Sequence, residues 1–340
     1  MKKVGYAVLS LLVVFLLTAF FLPERAGENS DKRFFGALPS LFYMEKNAAS
    51  EDEGVKINVY LNEDQKIRAI PLEKYTAGVV AWEMPMSYHP EALSAQAVAA
   101  RSYALFKSRF YSGEGCLTHP GADVCASPGC CQGYRDPDGE IYKNAIKAAK
   151  DTENLIVTFR NHPIRALYHA CSGGHTENAE NVYSQALAYL RGVPSPGEEG
   201  HFRYENTLNL HVSDLTKAFS EDENVVFYMD FPISQQLEIL SFYDTGRVKE
   251  VRVGLNRMTG AYFRKKTGLD SSYFRMEFDD EKACVTFFTK GYGHGVGLSQ
   301  AGAEAMAGKG SGFEEILTYY YSGVQIKPMS EIFSGEAEKA

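Results

Sequence analysis

The sequence predicts a mixed α/β (α+β) protein: an N-terminal single transmembrane helix, then one extracytoplasmic α/β domain with an inserted supporting subdomain. Three observations carry this expectation. Residues 4–22 run for 19 positions without a charge, behind Lys2 and Lys3. At about 1.5 Å per residue, a helix of that length reaches roughly 28 Å, near the thickness of a bilayer core. Beyond it, strand-type alternation (Val55, Ile57 and Val59; residues 248–253 and 285–289) is interspersed with helix-type stretches. Finally, residues 72–105 read as two helices meeting at a Pro-marked corner. The 340 residues are 45% hydrophobic and 13% aromatic, enough for a sizeable core and against disorder. The formal charge of −8 comes without any long Lys/Arg block, which argues against nucleic acid as a main partner.

The expected organisation is a cytoplasmic stub (1–3), the anchor (4–22), a polar tether (23–54), the domain (55–328, with the subdomain at about 205–280) and a polar tail (329–340). A cleavable signal has a shorter apolar run and a small-x-small site, neither of which is clear here. The anchor therefore reads as uncleaved, with its Lys-flanked end in the cytoplasm. A late-cleaved signal is the alternative, and leaves the same extracytoplasmic domain. A short apolar patch at 34–43 either docks on that domain or lies at the membrane interface.

In the domain, residues 55–61 and 67–71 form a strand pair around a turn at 62–65. The first helix ends near Met84, because Pro85 disfavours α geometry in the residue before it. The second helix has Pro90 in a first turn that tolerates proline, and Glu91 beside that turn's free N–H groups. Glu83 is thus a carboxylate at the C-terminal end of a helix, among Val79, Val80, Trp82 and Met84. Both features disfavour ionisation, and a carboxylic acid that keeps its proton near neutrality suits general acid catalysis. The second helix is rich in alanine, implying close packing. Its polar-tipped residues Gln96, Arg101 and Tyr103 are candidates for substrate contact.

Four of the six cysteines and His119 fall within residues 116–131. Two readings of this loop stand. Cysteines outside the cytoplasm usually pair as disulfides, but a bond between adjacent Cys130 and Cys131 is strained and leaves His119 unexplained. A closed tetrahedral zinc site of His119, Cys125 and two further thiolates, with Cys116 able to replace one of the others, explains both. Such a closed site keeps no position for water, so the zinc is structural; no organic cofactor is expected.

A helix follows at 142–150, then strands at 155–159 and 164–168 around a turn at 161–163. The second strand leads into Cys171-Ser-Gly-Gly-His175. Cys171 lies between His169 and His175 and invites a nucleophile reading, or a bridge to Cys284. Residues 212–278 read as a supporting subdomain. A strand at 285–289 delivers Gly291-Tyr-Gly-His-Gly-Val-Gly-Leu-Ser-Gln300, and Ser299 is a plausible N-cap for the helix at 299–307. Ser172, Gly173, His175, Tyr292, His294, Ser299 and Gln300 are candidate substrate contacts, because glycines beside polar side chains permit close approach of a ligand. The glycine spacing does not match a dinucleotide fingerprint.

Four separated motifs occur together in order: Leu72-Glu-Lys-Tyr with Gly78-Val-Val-Ala-Trp-Glu-Met-Pro, Glu91-Ala-Leu-Ser-Ala-Gln-Ala-Val-Ala-Ala-Arg-Ser-Tyr, Ser172-Gly-Gly-His-Thr-Glu, and the run 291–300. Together they closely resemble the stage II sporulation protein D, or amidase-enhancer, family over roughly residues 57–326. The resemblance implies a membrane-anchored lytic transglycosylase that cleaves peptidoglycan between N-acetylmuramic acid and N-acetylglucosamine during forespore engulfment. It implies that Glu83 is the catalytic acid, protonating the glycosidic oxygen and then taking the proton of the muramic C6 hydroxyl as a 1,6-anhydro ring closes. One carboxylate in both roles suits a chain with no obvious second catalytic acid. The family further implies a stripped glycan substrate, a stage II sporulation protein P amidase and a stage II sporulation protein M as partners, and a site in the mother-cell membrane facing the intermembrane space. A zinc pattern of some members, His-x5-Cys-x4-His-Cys, maps onto His119, Cys125, Cys130 and Cys131, with Cys at its third position. The main alternative function is a non-catalytic glycan-binding enhancer that recruits and activates a cell-wall amidase.

Overall fold

The computed structural model describes residues 54–111, 113–222 and 224–332. The expected span, most of the tether and most of the tail lie outside these residues; among those described, no helix is long and apolar enough to cross a membrane. Apolar alternation in β1 (Lys56–Leu61) places Ile57 and Val59 in the core. A turn with Gln65 at φ 52° returns the chain as antiparallel β2 (Lys66–Pro71). Helix α1 (Leu72–Glu83) follows and ends at Met84, whose extended backbone (φ −124°, ψ 146°) is the geometry that Pro85 requires. Helix α2 (Pro90–Lys107) has Pro90 in its first turn, and the His89 ring accepts the Glu91 N–H as N-cap. The alanines of α2 are buried, so neighbouring elements approach its backbone closely.

Arg101 is where this packing departs from the sequence reading. It points into the interior, fully buried, and ties three elements together rather than facing substrate. Its guanidinium donates to the Glu73 carboxylate of α1 (Nε to Oε1, 2.9 Å) and to the carbonyls of Ala149 and Leu155. A cation can be buried when every donor finds an acceptor, and here α1 and the segment after α2 supply them.

The chain continues through β3 (Val124–Cys125), parallel to β1, then α3 (Lys143–Asp151) and β4 (Leu155–Phe159). The turn falls at Arg160 and Asn161, both with positive φ, so β5 is only His162–Pro163. The strand expected at 164–168 does not form. The Ala166 N–H bonds to Ile164 O and the Leu167 N–H to Arg165 O, tight local turns that leave the ladder before β6 (Tyr168–His169). Then come α4 (Glu180–Tyr183), β7 (Glu205–His211), α5 (Val212–Ala218), α6 (Ile233–Gln236), β8 (Leu237–Phe242), β9 (Val248–Val253) and β10 (Asn256–Thr259). The last elements are α7 (Gly260–Thr267), β11 (Phe274–Asp279), β12 (Cys284–Lys290), β13 (Leu298–Ser299), α8 (Gln300–Ala307), α9 (Phe313–Tyr320) and β14 (Gln325–Pro328).

Among the described residues two large apolar cores result, beside a small cluster of Cys116, Ala122 and Cys125. The first gathers Tyr75, Val79, Leu93, Val98, Ile156, Leu298 and Leu317 around α1 and α2. The second uses residues 212–287, with Phe263 packed against Phe274 and Phe287 under the antiparallel sheets β11-β12-β7 and β10-β9-β8. β6 and β13 pair in parallel, which brings the chain entering the 172–175 loop beside the start of α8.

Candidate active site at the Glu83 corner

Glu83 is the last residue of α1, and its half-buried carboxylate is held by groups from outside that helix. The Gly133 N–H donates to its Oε1 at 2.8 Å, and the Tyr168 hydroxyl lies within hydrogen-bonding reach. Burial pushes the Glu83 carboxyl above its usual value of 4.5, while the Gly133 and Tyr168 donors pull the other way. Among the described residues, none of the groups acting on it is a second carboxylate. Behind Tyr168 runs a polar relay: Gln132 Nε2 donates to the Tyr168 hydroxyl (3.1 Å) and Gln132 Oε1 accepts from Tyr75 (3.0 Å). Gly133 sits so tightly against Trp82 that a Cβ there would lie 1.8 Å from the indole Cδ1. The Arg135 guanidinium covers that indole at 4.8 Å.

Gln132 and Gly133 directly follow the cysteine loop, so the loop positions the donors of Glu83. The sulfurs of Cys116, Cys125, Cys130 and Cys131 all lie within 4.8 Å of one another. Cys116 Sγ is 3.7 Å from Cys130 Sγ, which is 3.9 Å from Cys131 Sγ. A tetrahedron of four sulfurs about 2.3 Å from zinc has edges of about 3.8 Å, so the quartet fits that ion. All six cysteines are free, without a disulfide. Cys116, the alternative ligand, converges with the other three thiols, whereas His119 stands beside it. The His119 ring stacks on Tyr60 (3.8 Å between centroids), and its Nδ1 is 3.4 Å from Cys116 Sγ. Around a metal held by the four sulfurs, His119 would be hydrogen-bonded to a ligand rather than ligating.

The two glycine loops are zipped to each other. Cys171 and Tyr292 exchange backbone hydrogen bonds (2.8 and 3.1 Å), and the Glu177 N–H donates to Gly295 O at 2.7 Å. Gly291, Gly293, Gly295 and Gly297 all have positive φ, and a Cβ on Gly297 would lie 2.0 Å from Leu167 O. The hub of the unit is Glu198, a buried carboxylate from a loop that reads as featureless. It accepts from the Ser172 and Gly173 N–H groups (2.9 Å each) and from the hydroxyls of Ser172, Ser195 and Ser299. Arg247 reaches in from the inserted subdomain and donates to Ser172 O at 2.6 Å.

This packing sorts the expected substrate contacts. Ser172, Gly173 and Ser299 are buried on Glu198, so they shape the loops from below. Gln96 and Gln300 are buried against each other at 3.3 Å, and Tyr103 is almost fully buried. Only His175, Tyr292 and His294 retain appreciable surface. His294 is driven down to about 3 by burial and the neighbouring Arg264 and Arg247 charges, so it is neutral at pH 7. Cys171 donates to Glu198 (3.2 Å), and burial pushes its thiol up to about 12, which leaves it a poor nucleophile. Tyr168, Gln132, Gly133 and Glu198 escape the sequence reading. The first three adjoin the His169–Cys171 and Cys130–Cys131 features; Glu198 is preceded only by a Pro/Gly pattern.

Comparison with known proteins gives this geometry its relatives. A family model described as Stage II sporulation protein matches residues 60–159. The chain is 31% identical to Stage II sporulation protein D of Bacillus subtilis (strain 168), over 94% of each chain. It is 30% identical to the protein of that name from Bacillus amyloliquefaciens, over 97% of this chain and 96% of that one. The Amidase enhancer of Bacillus subtilis (strain 168) is 28% identical over 73% of this chain and 40% of its own length. The Glu83 corner and the two glycine loops therefore sit in a sequence related to these sporulation proteins almost end to end, and the chain belongs to the stage II sporulation protein D family.

Proposed function

We propose that this chain is a membrane-anchored lytic transglycosylase that cleaves peptidoglycan strands between N-acetylmuramic acid and N-acetylglucosamine during forespore engulfment. The observation that carries the reading is the state of Glu83: a half-buried carboxyl, raised by burial, with two donors ready to receive its charge. As the acid, Glu83 gives its proton to the glycosidic oxygen while the C1–O bond breaks. As the resulting carboxylate, it takes the proton of the muramic C6 hydroxyl, whose oxygen closes on C1. The Gly133 N–H and the Tyr168 hydroxyl stabilise the carboxylate between these steps. Zinc held by Cys116, Cys125, Cys130 and Cys131 is structural in this reading and fastens the loop that ends at Gly133. Residues 4–22 anchor the domain outside the mother-cell membrane, where a stage II sporulation protein P amidase supplies stripped strands and a stage II sporulation protein M completes the assembly.

Mass spectrometry of digests of peptide-free strands tests the reaction. Wild-type protein is expected to release 1,6-anhydromuramic ends and Glu83→Gln none; equal release by both would remove Glu83 from the mechanism. A second reading has a specific relative behind it, the amidase enhancer. If the wild-type protein cleaves no glycan yet accelerates an amidase, the non-catalytic enhancer replaces the enzyme.

A further inference from the structure

Glu83 and its supports account for proton transfer but not for how a strand is selected. Arg203, Arg247, Arg165 and Arg264 stand around the loop unit, and of these four only Arg203 has a carboxylate within ion-pair distance among the described residues. Arg203 pairs with Asp270 at 3.5 Å. Arg247 is buried on Ser172 O, within the fields of Glu177 and Glu198. Arg165 and Arg264 have no ion-pair partner among the described residues. Arg165, in the irregular stretch before β6, lays its guanidinium over the Tyr183 ring at 5.0 Å. Arg264, from α7 of the inserted subdomain, donates through Nε to the carbonyls of Leu269 and Asp270 (3.1 and 3.0 Å). The Asp270 carboxylate also acts on Arg264 but is bridged to Arg203.

Arg165 and Arg264 converge on one pair of rings. Arg165 covers Tyr183, the Asp270 carbonyl accepts from both Arg264 Nε and the Gly293 N–H (3.0 Å each) one residue before His294, and the Tyr183 and His294 rings meet edge to face at 5.6 Å. His294 bonds to the backbone of Tyr168, the residue whose hydroxyl reaches Glu83. Arg165, Arg264, Tyr183 and His294 are all half-buried, neither core nor free surface. Two partly desolvated guanidinium groups whose nearest acting carboxylate, Asp270, is already bridged to Arg203 gain from the arrival of an anion. The planar fork of a guanidinium matches a carboxylate.

We propose that Arg165 and Arg264 form a carboxylate-reading subsite, walled by Tyr183 and His294, that binds the free lactyl carboxylate of an N-acetylmuramic acid residue beside the scissile bond. This rests on the glycan substrate of the proposed function. A stem peptide on the lactyl group turns the carboxylate into a neutral amide and adds bulk, so the subsite distinguishes stripped strands from peptide-bearing ones. The inserted subdomain then contributes to substrate choice, through Arg264.

Binding, not cleavage, tests this, so the full-length chain carrying Glu83→Gln is titrated calorimetrically. The probes are peptide-free strands and the same strands with lactyl carboxylates converted to neutral methylamides. The acid strands are expected to bind at least about tenfold more tightly, as for a charge-assisted pair. Adding Arg165→Gln and Arg264→Gln should bring that ratio near one while methylamide affinity changes less than about twofold. A ratio that survives both substitutions overturns the subsite. So does an equal loss for both probes, which marks the arginines as structural, and so does an absence of binding to either probe. Charge discrimination in a chain whose wild type releases no anhydro product would keep the subsite and reject the reaction. Cleavage without charge discrimination would do the reverse.

Discussion

Replacing Arg101 by Met is expected to destabilise the protein by about 3–5 kcal/mol, the usual cost of removing one partner from a buried ion pair. The structure shows what is lost. Arg101 is fully buried, and its Nε lies 2.9 Å from Glu73 Oε1 and 3.2 Å from Oε2. Its terminal nitrogens satisfy Ala149 O at 2.9 Å and Leu155 O at 3.0 Å. Methionine fills much of the space but leaves two buried carbonyls and a carboxylate without donors. In a domain of this size the loss corresponds to a fall in Tm on the order of 10 °C. Circular dichroism melts of the wild type and variant read it directly. Glycan binding by the variant, measured well below its Tm, is expected to match the wild type within about twofold, since Arg101 has no surface to offer a ligand. The double variant Glu73→Leu/Arg101→Met should recover part of the loss by removing the stranded charge, though not the part due to the carbonyls. An unchanged Tm together with weakened glycan binding would refute the reasoning and return Arg101 to the substrate groove.

The other expected outcomes concern the acid and its supports. Gly133→Ala cannot fit beside Trp82 without moving the N–H that holds Glu83, so activity should fall about 10²-fold while the far-ultraviolet spectrum stays native; undiminished activity would show that this donor does not position the acid. Elemental analysis should find about one zinc per chain, and chelator should lower Tm and expose four thiols to Ellman's reagent; metal-free protein with the same Tm would reject the structural ion. Glu83 holds its proton more tightly folded than unfolded. Stability is therefore lost as pH rises past the unfolded value of about 4.5, and the loss is complete once the folded carboxyl ionises. Glu83→Gln lacks that loss, so its Tm relative to wild type should rise between pH 4 and pH 8; a relative fall over that range would mean that the protein stabilises the ionised form.

What could be read from the sequence was local. Pro85 marked the end of α1 and Pro90 the start of α2 because proline acts on its immediate neighbours. Alternation located β1, β9 and β12 because a strand with one buried face repeats every two residues. The strand expected at 164–168 failed because apolar content cannot reveal that consecutive backbone groups bond to each other instead of to a neighbouring strand. Polar tips misled for the same reason. Gln96, Arg101, Ser172 and Ser299 have side chains fit for a ligand, but the fold directs them inward, onto Gln300, Glu73 and Glu198. That Cys116 joins the sulfur cluster while His119 stacks beside it had no signal in the sequence, because a list of ligand-type residues says nothing about which atoms converge. Glu198 had no signal, because its importance comes wholly from serines and glycines that are distant in sequence.

Under the proposed function, the placement of Glu83 also refines why a helix C-terminus suits it. For one carboxyl to give a proton and then take another, it must favour neither form strongly. An acid surrounded only by apolar side chains would hold its proton too firmly, and one rich in donors would already be ionised. At this corner the opposing influences come from separate parts of the chain. The end of α1 supplies the burial that favours the proton. Gly133, behind the cysteine quartet, and Tyr168, on β6, supply the donors that favour the charge. Because the donors arrive from elements fastened elsewhere, loosening either element shifts the balance without touching Glu83. Chelation should then raise the acid's kinetic pKa before it unfolds the domain, since the Gly133 donor is lost first. A pH–rate profile that stays fixed as the metal leaves would separate the cysteine loop from the acid it precedes.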